Sequence, residues 1–171
     1  MPETSFPSEV ADIMVEKLFE GRRGIRFKRV LVPGCGRGEL IDAVARYCER
    51  NNSEMPTIVA IDTDEEKVEA IANRYPEVES LESDFLGDPL DLGRAFDFVI
   101  SNPPRVDWQD LDPERKEAYA ASSGVVTTAD QLIDSDLLFI EQSLRYLDDT
   151  GRAVFFTQPE YKTVDSAADI P

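Results

Sequence analysis

An apolar run that ends on paired prolines limits this chain more than any other stretch in it. Residues 96–105 read FDFVISNPPR, and Phe96, Phe98, Val99 and Ile100 bring aromatic and β-branched side chains together. Such a run fits a strand buried inside a parallel sheet. It stops at Ser101-Asn102-Pro103-Pro104. Paired prolines have no N–H and a fixed φ, so they cannot continue a central strand. The chain must turn out at the strand's carboxyl end, the edge where open α/β sheets bind ligands. Asn102, braced by stiff prolines, offers a side-chain carbonyl, an NH2 and neighbouring backbone carbonyls with little freedom to move. Acceptors fixed in this way suit an exocyclic or amide NH2 group. The plainer alternative is a strand-ending turn with no chemistry.

The rest of the chain alternates strands and helices, which predicts a parallel sheet with helices on both faces. Ser8 reads as the cap of a first helix with Val10, Ile13, Met14 and Leu18 on one stripe and Gly21 at its end. Val30-Leu31-Val32 is the first strand. Pro33-Gly34-Cys35-Gly36-Arg37-Gly38 follows, then a helix with Leu40, Ala43, Val44, Tyr47 and Cys48 on one face. Strand, glycine-rich turn and helix form a cofactor-binding unit in which glycines let a ligand approach the backbone. The spacing Gly-x-Gly-x-Gly differs from the dinucleotide fingerprint Gly-x-Gly-x-x-Gly.

A second strand, 57–61, ends at Asp62, whose two oxygens match the two hydroxyls of a ribose; the alternative is a helix cap. The next helix carries Val68, Ile71, Ala72 and Tyr75 and stops at Pro76. A short third strand, 78–83, leads to Asp84, which also reads as a turn initiator. Asp112-Pro113-Glu114 starts a helix that ends at Ser122-Ser123-Gly124 and serves as a lid or target-contacting segment. Trp108 and Tyr119 are candidates either to stack on a base or simply to pack. Asp134 caps a helix with Leu137, Leu138, Ile140, Leu144 and Leu147. A turn at Asp149-Thr150-Gly151 opens a strand over 152–157, and residues 158–171 form an irregular tail.

Composition narrows the function classes. With 171 residues and 42% hydrophobic content, one globular domain is expected. There is no histidine, so a histidine base and a His-ligated metal are both excluded, and Cys35 and Cys48 have no metal spacing. No metal is expected. No apolar run approaches membrane-spanning length and no signal pattern opens the chain, so no membrane contact and a cytoplasmic location are expected. The net charge of −17, from 35 acids against 18 bases, argues against a phosphate-binding surface unless the acids serve another end. They are scattered, which fits a halophilic protein whose carboxylate-rich surface stays hydrated while salt screens its self-repulsion. The run Arg22, Arg23, Arg26, Lys28, Arg29 reads either as a phosphate-facing patch or, more simply, as a solvated edge.

Asn102-Pro103-Pro104 after an apolar strand resembles the catalytic motif of amino methyltransferases that use S-adenosylmethionine. These include N6-adenine DNA methyltransferases of restriction-modification systems, guanine-N2 RNA methyltransferases and protein-glutamine methyltransferases. The resemblance is strongest to the first of these and implies a Rossmann-like methyltransferase fold over residues 1–157. In that family the Asn carbonyl and the first Pro carbonyl accept from the target NH2, aiming the nitrogen lone pair at the methyl group. The resemblance implies that Pro33, Gly34, Gly36 and Gly38 wrap the methionine part of the cofactor. Asp62, with Thr63 beside it, would take the ribose. Asp84 would take the adenine amino group while Phe85 packs on the ring, and Asn102 would sit beside the cofactor.

The stretch SFPSEVADIMVEKL resembles the segment ahead of the cofactor loop, with Phe6 and Pro7 in the place of its cofactor-touching pair. DLLFIEQSLRYLDDTGRAVFF is similar to the helix and fifth strand after the motif. Arg105 stands where an aromatic residue normally stacks on the target base, and Trp108 is a second candidate to contact the target. Val32 replaces an acid that receives the cofactor's ammonium, for which Glu39 is the nearby substitute. The resemblance implies methyl transfer to N6 of adenine in DNA, with nucleic acid and a separate recognition subunit as partners. Guanine-N2 or protein-glutamine methylation, or a non-catalytic binding remnant, are the alternatives. The sheet is expected to end before its last strands.

Overall fold

Period-two alternation of apolar residues decides which side chains enter which core. A computed structural model describes residues 6–88, 90–93, 95–104, 111–122 and 135–157. Its strands are β1 (Arg29–Pro33), β2 (Thr57–Asp62), β3 (Glu79–Glu82), β4 (Phe96–Ser101) and β5 (Leu147–Phe155). They pair in the order β3-β2-β1-β4-β5, every pair parallel. Val30, Val32, Ile58, Ala60, Phe98 and Ile100 point into one core. Leu31, Val59, Ile61 and Val99 point into the other.

Helices α1 (Ser8–Phe19), α2 (Glu39–Arg50) and α3 (Glu65–Arg74) supply the first core. Helices α4 (Pro113–Ser122) and α5 (Ser135–Tyr146) supply the second through Tyr119, Leu138 and Phe139. Phe19 of α1 meets Phe98 edge-on with centroids 5.1 Å apart, a geometry that adds about 0.5–1.5 kcal/mol beyond area burial. The expected Rossmann-like sheet with helices on both faces is therefore present. Among the described residues, no helix is long and apolar enough to cross a membrane.

Strand order reverses between β1 and β4, and a crevice opens there at the carboxyl ends. A row of hydrogen bonds ties that edge together. Ser83 N–H donates to the Asp62 carbonyl (3.0 Å), and Cys35 N–H to the Ile61 carbonyl (2.9 Å). The fully buried Ser101 donates its hydroxyl to the Pro33 carbonyl at 2.7 Å. Phe156 N–H then donates to the Ser101 carbonyl at 3.0 Å.

Several local expectations need correction. Ser8 is the first residue of α1 rather than its cap; the Pro7 carbonyl accepts from Val10 and Ala11, and Ser8 Oγ donates to Glu9. Ile13 is 62% exposed, because α1 is rotated so that Ala11, Met14, Val15, Leu18 and Phe19 face the core. Ala72 is exposed, and β3 covers only Glu79–Glu82. The cap of α3 is Asp64, whose carboxylate accepts from Glu66 and Lys67 N–H, and not Asp62.

On α5, Leu138, Phe139 and Ser143 are buried while Leu137 and Leu144 face outward; Leu147 already belongs to β5. The expected turn near 149–151 is an interruption within β5. Leu147 pairs with Phe96 and Arg152 with Phe98, and Asp148 caps the intervening residues through Thr150. Asp112 does cap α4, accepting from Arg115 N–H at 2.8 Å. Asp134, Ser123, Gly124 and the tail lie outside the described residues.

Candidate active site

The glycine-rich turn leaves β1 in a conformation that only glycine adopts cheaply. Gly34, Gly36 and Gly38 have φ of +64°, +55° and +88°. A Cβ on Gly34 would lie 3.1 Å from Pro104 Cδ, so the missing side chain is what lets the turn meet the Asn-Pro-Pro corner. A Cβ on Gly38 would collide with Arg74 Nη2, whose guanidinium donates to the Arg37 carbonyl at 2.6 Å and holds the turn from outside. Asp62 accepts from Gly36 N–H through Oδ2 (2.8 Å) and from Asp64 N–H through Oδ1 (3.1 Å). The acid at the end of β2 thus braces the turn after β1.

Asp84 follows β3 and heads a turn. Its Oδ1 accepts from Leu86 N–H (3.1 Å) and Gly87 N–H (3.4 Å), and its Oδ2 accepts from the Tyr119 hydroxyl at 2.7 Å. The turn-initiating reading of Asp84 is realised, while its side chain still reaches the crevice. Tyr119 is itself buried, so it packs rather than standing free as a stacking platform. Burial first, then the bond to Asp84 and its charge, push the Tyr119 phenol well above its ordinary pKa and keep it a donor. Phe85 is buried against Phe139, centroids 5.5 Å apart.

One cavity of about 580 Å3 gathers these parts. Phe6, Gly34, Gly36, Asp62, Thr63, Asp84, Phe85, Asn102, Pro103 and Pro104 all line it. Pro7, Pro33 and Gly38 do not. Pro33 serves as the buried end of β1, and Gly38 as the residue that starts α2. Arg105 and Trp108 lie outside the described residues. Val32 is fully buried in the α1–α2 core and is not part of the wall, whereas Glu39 is.

Sequence reasoning missed Phe139, Asp136, Arg115, Lys67 and Phe156, which also line the cavity. Phe156 had a readable signal, since it follows the apolar β5 just as Asn102 follows β4. It packs edge-on against Phe6 at 5.1 Å. Cys35 also lines the cavity, but burial and the nearby Asp62 push its thiol up to about 12, so it stays protonated and unreactive.

The lining carries both signs, with Arg37, Lys67 and Arg115 beside its acids. Glu39, Asp62 and Asp84 offer carboxylates to NH or OH donors, while Phe6, Leu40, Ile61 and Phe85 offer apolar faces. A group with a cationic end, a ribose and a flat amino-bearing ring fits such a set, and the volume lies within the usual range for small-molecule sites.

The basic run belongs to the opposite edge. Lys28 Nζ donates to Asp97 Oδ1 (2.8 Å) and Arg29 N–H to Asp97 Oδ2 (2.9 Å). Arg29 also donates to the Leu92 carbonyl and lies over Phe96, and Arg22 donates to the Thr150 carbonyl. These cations hold the amino ends of the strands, which favours the structural over the phosphate-facing reading.

Comparison with known proteins places this arrangement. The methyltransferase subunit of a type I restriction-modification system from Streptococcus thermophilus superposes with a TM-score of 0.68 at 18% identity, covering 90% of this chain and 34% of that one. An S-adenosylmethionine-dependent methyltransferase from Clostridium acetobutylicum gives a TM-score of 0.53 at 15% identity, over 88% and 50% of the two chains. The Type II methyltransferase M.BanIII of Aneurinibacillus aneurinilyticus is 28% identical in an alignment 136 residues long that covers 67% of this chain and 23% of that protein. This chain therefore spans about a quarter of that curated relative's length. A family model for Eco57I restriction-modification methylases matches residues 41–169. That match runs through most of the chain, on the fold of the solved methyltransferases, and the chain belongs to the Eco57I restriction-modification methylase family.

Proposed function

We propose that this chain binds S-adenosylmethionine in the carboxyl-edge cavity and that its Asn102 corner directs methyl transfer to an exocyclic amino group, N6 of adenine in DNA. The observation that carries the reading is the contact between Gly34 and the Asn-Pro-Pro corner: a Cβ on Gly34 would meet Pro104 at 3.1 Å and the Asn102 carbonyl at 3.9 Å. The glycine cradle and the amine-gripping acceptors thus share one cavity wall.

In this reading Asp62 and Thr63 hold the ribose, Asp84 accepts from the adenine amino group, and Phe85 packs on the ring. Glu39 beside Gly36 receives the ammonium in place of the acid that Val32 lacks. The cofactor supplies a methyl group made electrophilic by its sulfonium sulfur. The protein's part is positional. Asn102 Oδ1 and the Pro103 carbonyl accept from the two N–H bonds of the target, which holds the nitrogen lone pair out of conjugation. The buried Ser101, bonded to Pro33, and the rigid prolines keep those acceptors from moving. Fixed acceptors of this kind act through orientation and electrostatics, so no strong side-chain base is required. A target in duplex DNA has to be flipped out of the stack, with Arg105, Trp108 and the Phe6–Phe156 pair as candidate surfaces for it. Sequence recognition falls to a separate subunit or region.

Titration calorimetry with S-adenosylmethionine in molar salt tests binding, and radiolabel transfer to DNA, RNA and protein sorts the acceptors. Asn102→Ala is expected to lower transfer by about a hundredfold or more while leaving cofactor affinity within about twofold. Undiminished transfer by that variant would remove the mechanism.

A further inference from the structure

We propose that Tyr119 is a positioning residue that fixes the Asp84 carboxylate so that it accepts from a ring amino group, selecting a ligand ring that bears an amino group over one that bears a carbonyl. The inference rests on the cofactor reading above and extends it to a residue on a different helix.

Asp84 is held from both sides. The turn N–H groups of Leu86 and Gly87 fix Oδ1, and the Tyr119 hydroxyl fixes Oδ2 at 2.7 Å. Each carboxylate oxygen has two lone-pair directions, so Oδ2 keeps one for a ligand after Tyr119 has taken the other. The phenol hydrogen is committed to Asp84, so it is not offered to a ligand carbonyl. An NH2 group finds an acceptor in Asp84 Oδ2, whereas a carbonyl oxygen facing that carboxylate meets repulsion and an unmade bond.

Gly87 makes room for the pair. A Cβ on it would stand 3.2 Å from both Tyr119 Cε1 and Asp84 Oδ2. Tyr119 comes from α4, far along the chain from Asp84, so the selecting surface exists only when α4 is docked.

The test uses the full chain in molar salt, titrated calorimetrically with S-adenosylhomocysteine and with its inosine counterpart, which carries a carbonyl in place of the amino group. Thermal melting and circular dichroism check folding. Tyr119→Phe is expected to weaken S-adenosylhomocysteine about three- to tenfold and to leave the inosine ligand within about twofold, so the preference shrinks. In an Asp84→Asn background the same substitution should cost less than about twofold more, because its effect runs through Asp84. Gly87→Ala, which crowds the pair without removing either member, should show the same loss of preference and serves if Tyr119→Phe does not fold. Equal weakening of both ligands, or an undiminished effect of Tyr119→Phe beside Asp84→Asn, would make Tyr119 a mere wall and overturn the proposal. Failure of the wild-type chain to bind S-adenosylhomocysteine would instead overturn the cofactor reading, and this inference with it.

Discussion

The two edges of the sheet are built from the same kinds of residue and do opposite things. At the amino edge, Lys28 and Arg29 close on Asp97, Arg26 pairs with Glu54, and Arg22 caps a carbonyl; the charges are spent within the chain. At the carboxyl edge, Asp62 and Asp84 are also bonded, but to backbone N–H groups and a phenol rather than to cations. Such bonds orient a carboxylate without neutralising it. An edge whose charges are paired stabilises the fold; an edge whose carboxylates are oriented by N–H and O–H donors is the one set up to meet a ligand. Position in the topology separates the two, since the chain leaves the neighbouring strands β1 and β4 in opposite directions only at the second.

Substitutions can break this contrast, and the largest effect is expected where the backbone itself is shaped for the ligand. Gly34→Ala forces a left-handed φ on a residue with a Cβ, at about 1–2 kcal/mol, and drives that Cβ toward Pro104. S-adenosylhomocysteine affinity should fall by about tenfold or more in calorimetry. Affinity held at the wild-type level would mean that the cradle is not the site.

At the other edge the effect should be on stability alone. Burial by itself would raise the pKa of Asp97, but the bonds from Lys28 and Arg29 outweigh it and hold the carboxyl below the usual range. A depressed folded-state pKa contributes stability that is present above the unfolded value of about 3.9 and is lost as pH falls through the folded value. Asp97→Asn should therefore cost about 1 kcal/mol in urea melts at neutral pH, with a smaller difference from wild type below about pH 4. Its ligand affinity should not change. A loss of binding in this variant would join the two edges that the structure keeps apart.

The smallest effect belongs to Arg26→Gln. The Arg26–Glu54 pair is 3.6 Å long with both side chains well exposed, and such pairs contribute no more than about 0.5 kcal/mol. A DNA-binding defect in Arg26→Gln would reinstate the basic run as a phosphate-facing surface.

The site's skeleton could be read from the sequence because its makers are punctuation. Proline and glycine leave a mark at the position where they act, so the corner at Asn102 and the turn at Gly34 and Gly36 were visible before any coordinates. The acid that ends β2 was visible for a related reason: the apolar run of that strand stops at Asp62. What stayed hidden depends on partners distant in sequence. Nothing near Tyr119 indicates that its hydroxyl meets Asp84 thirty-five residues earlier in the chain. Nothing near Ser101 indicates that it reaches Pro33. Helix faces failed in a related way. On α1 and α5, Ile13, Leu137 and Leu144 fit an apolar stripe by spacing, but the rotation of each helix is set by the sheet it packs on, and these three face outward. Val32, which the resemblance marks as standing in place of an acid, has its side chain in the α1–α2 core.

The central claim is that ligand recognition lives at the carboxyl edge and nowhere else on the sheet. Backbone amide NMR during titration with S-adenosylhomocysteine tests it most directly. The account predicts shifts at Gly34, Gly36, Thr63, Asp84, Phe85 and Asn102, with Arg26, Lys28, Arg29 and Asp97 unmoved. Saturable binding that shifts the amino-edge residues and leaves Gly36 and Asn102 where they were would contradict it.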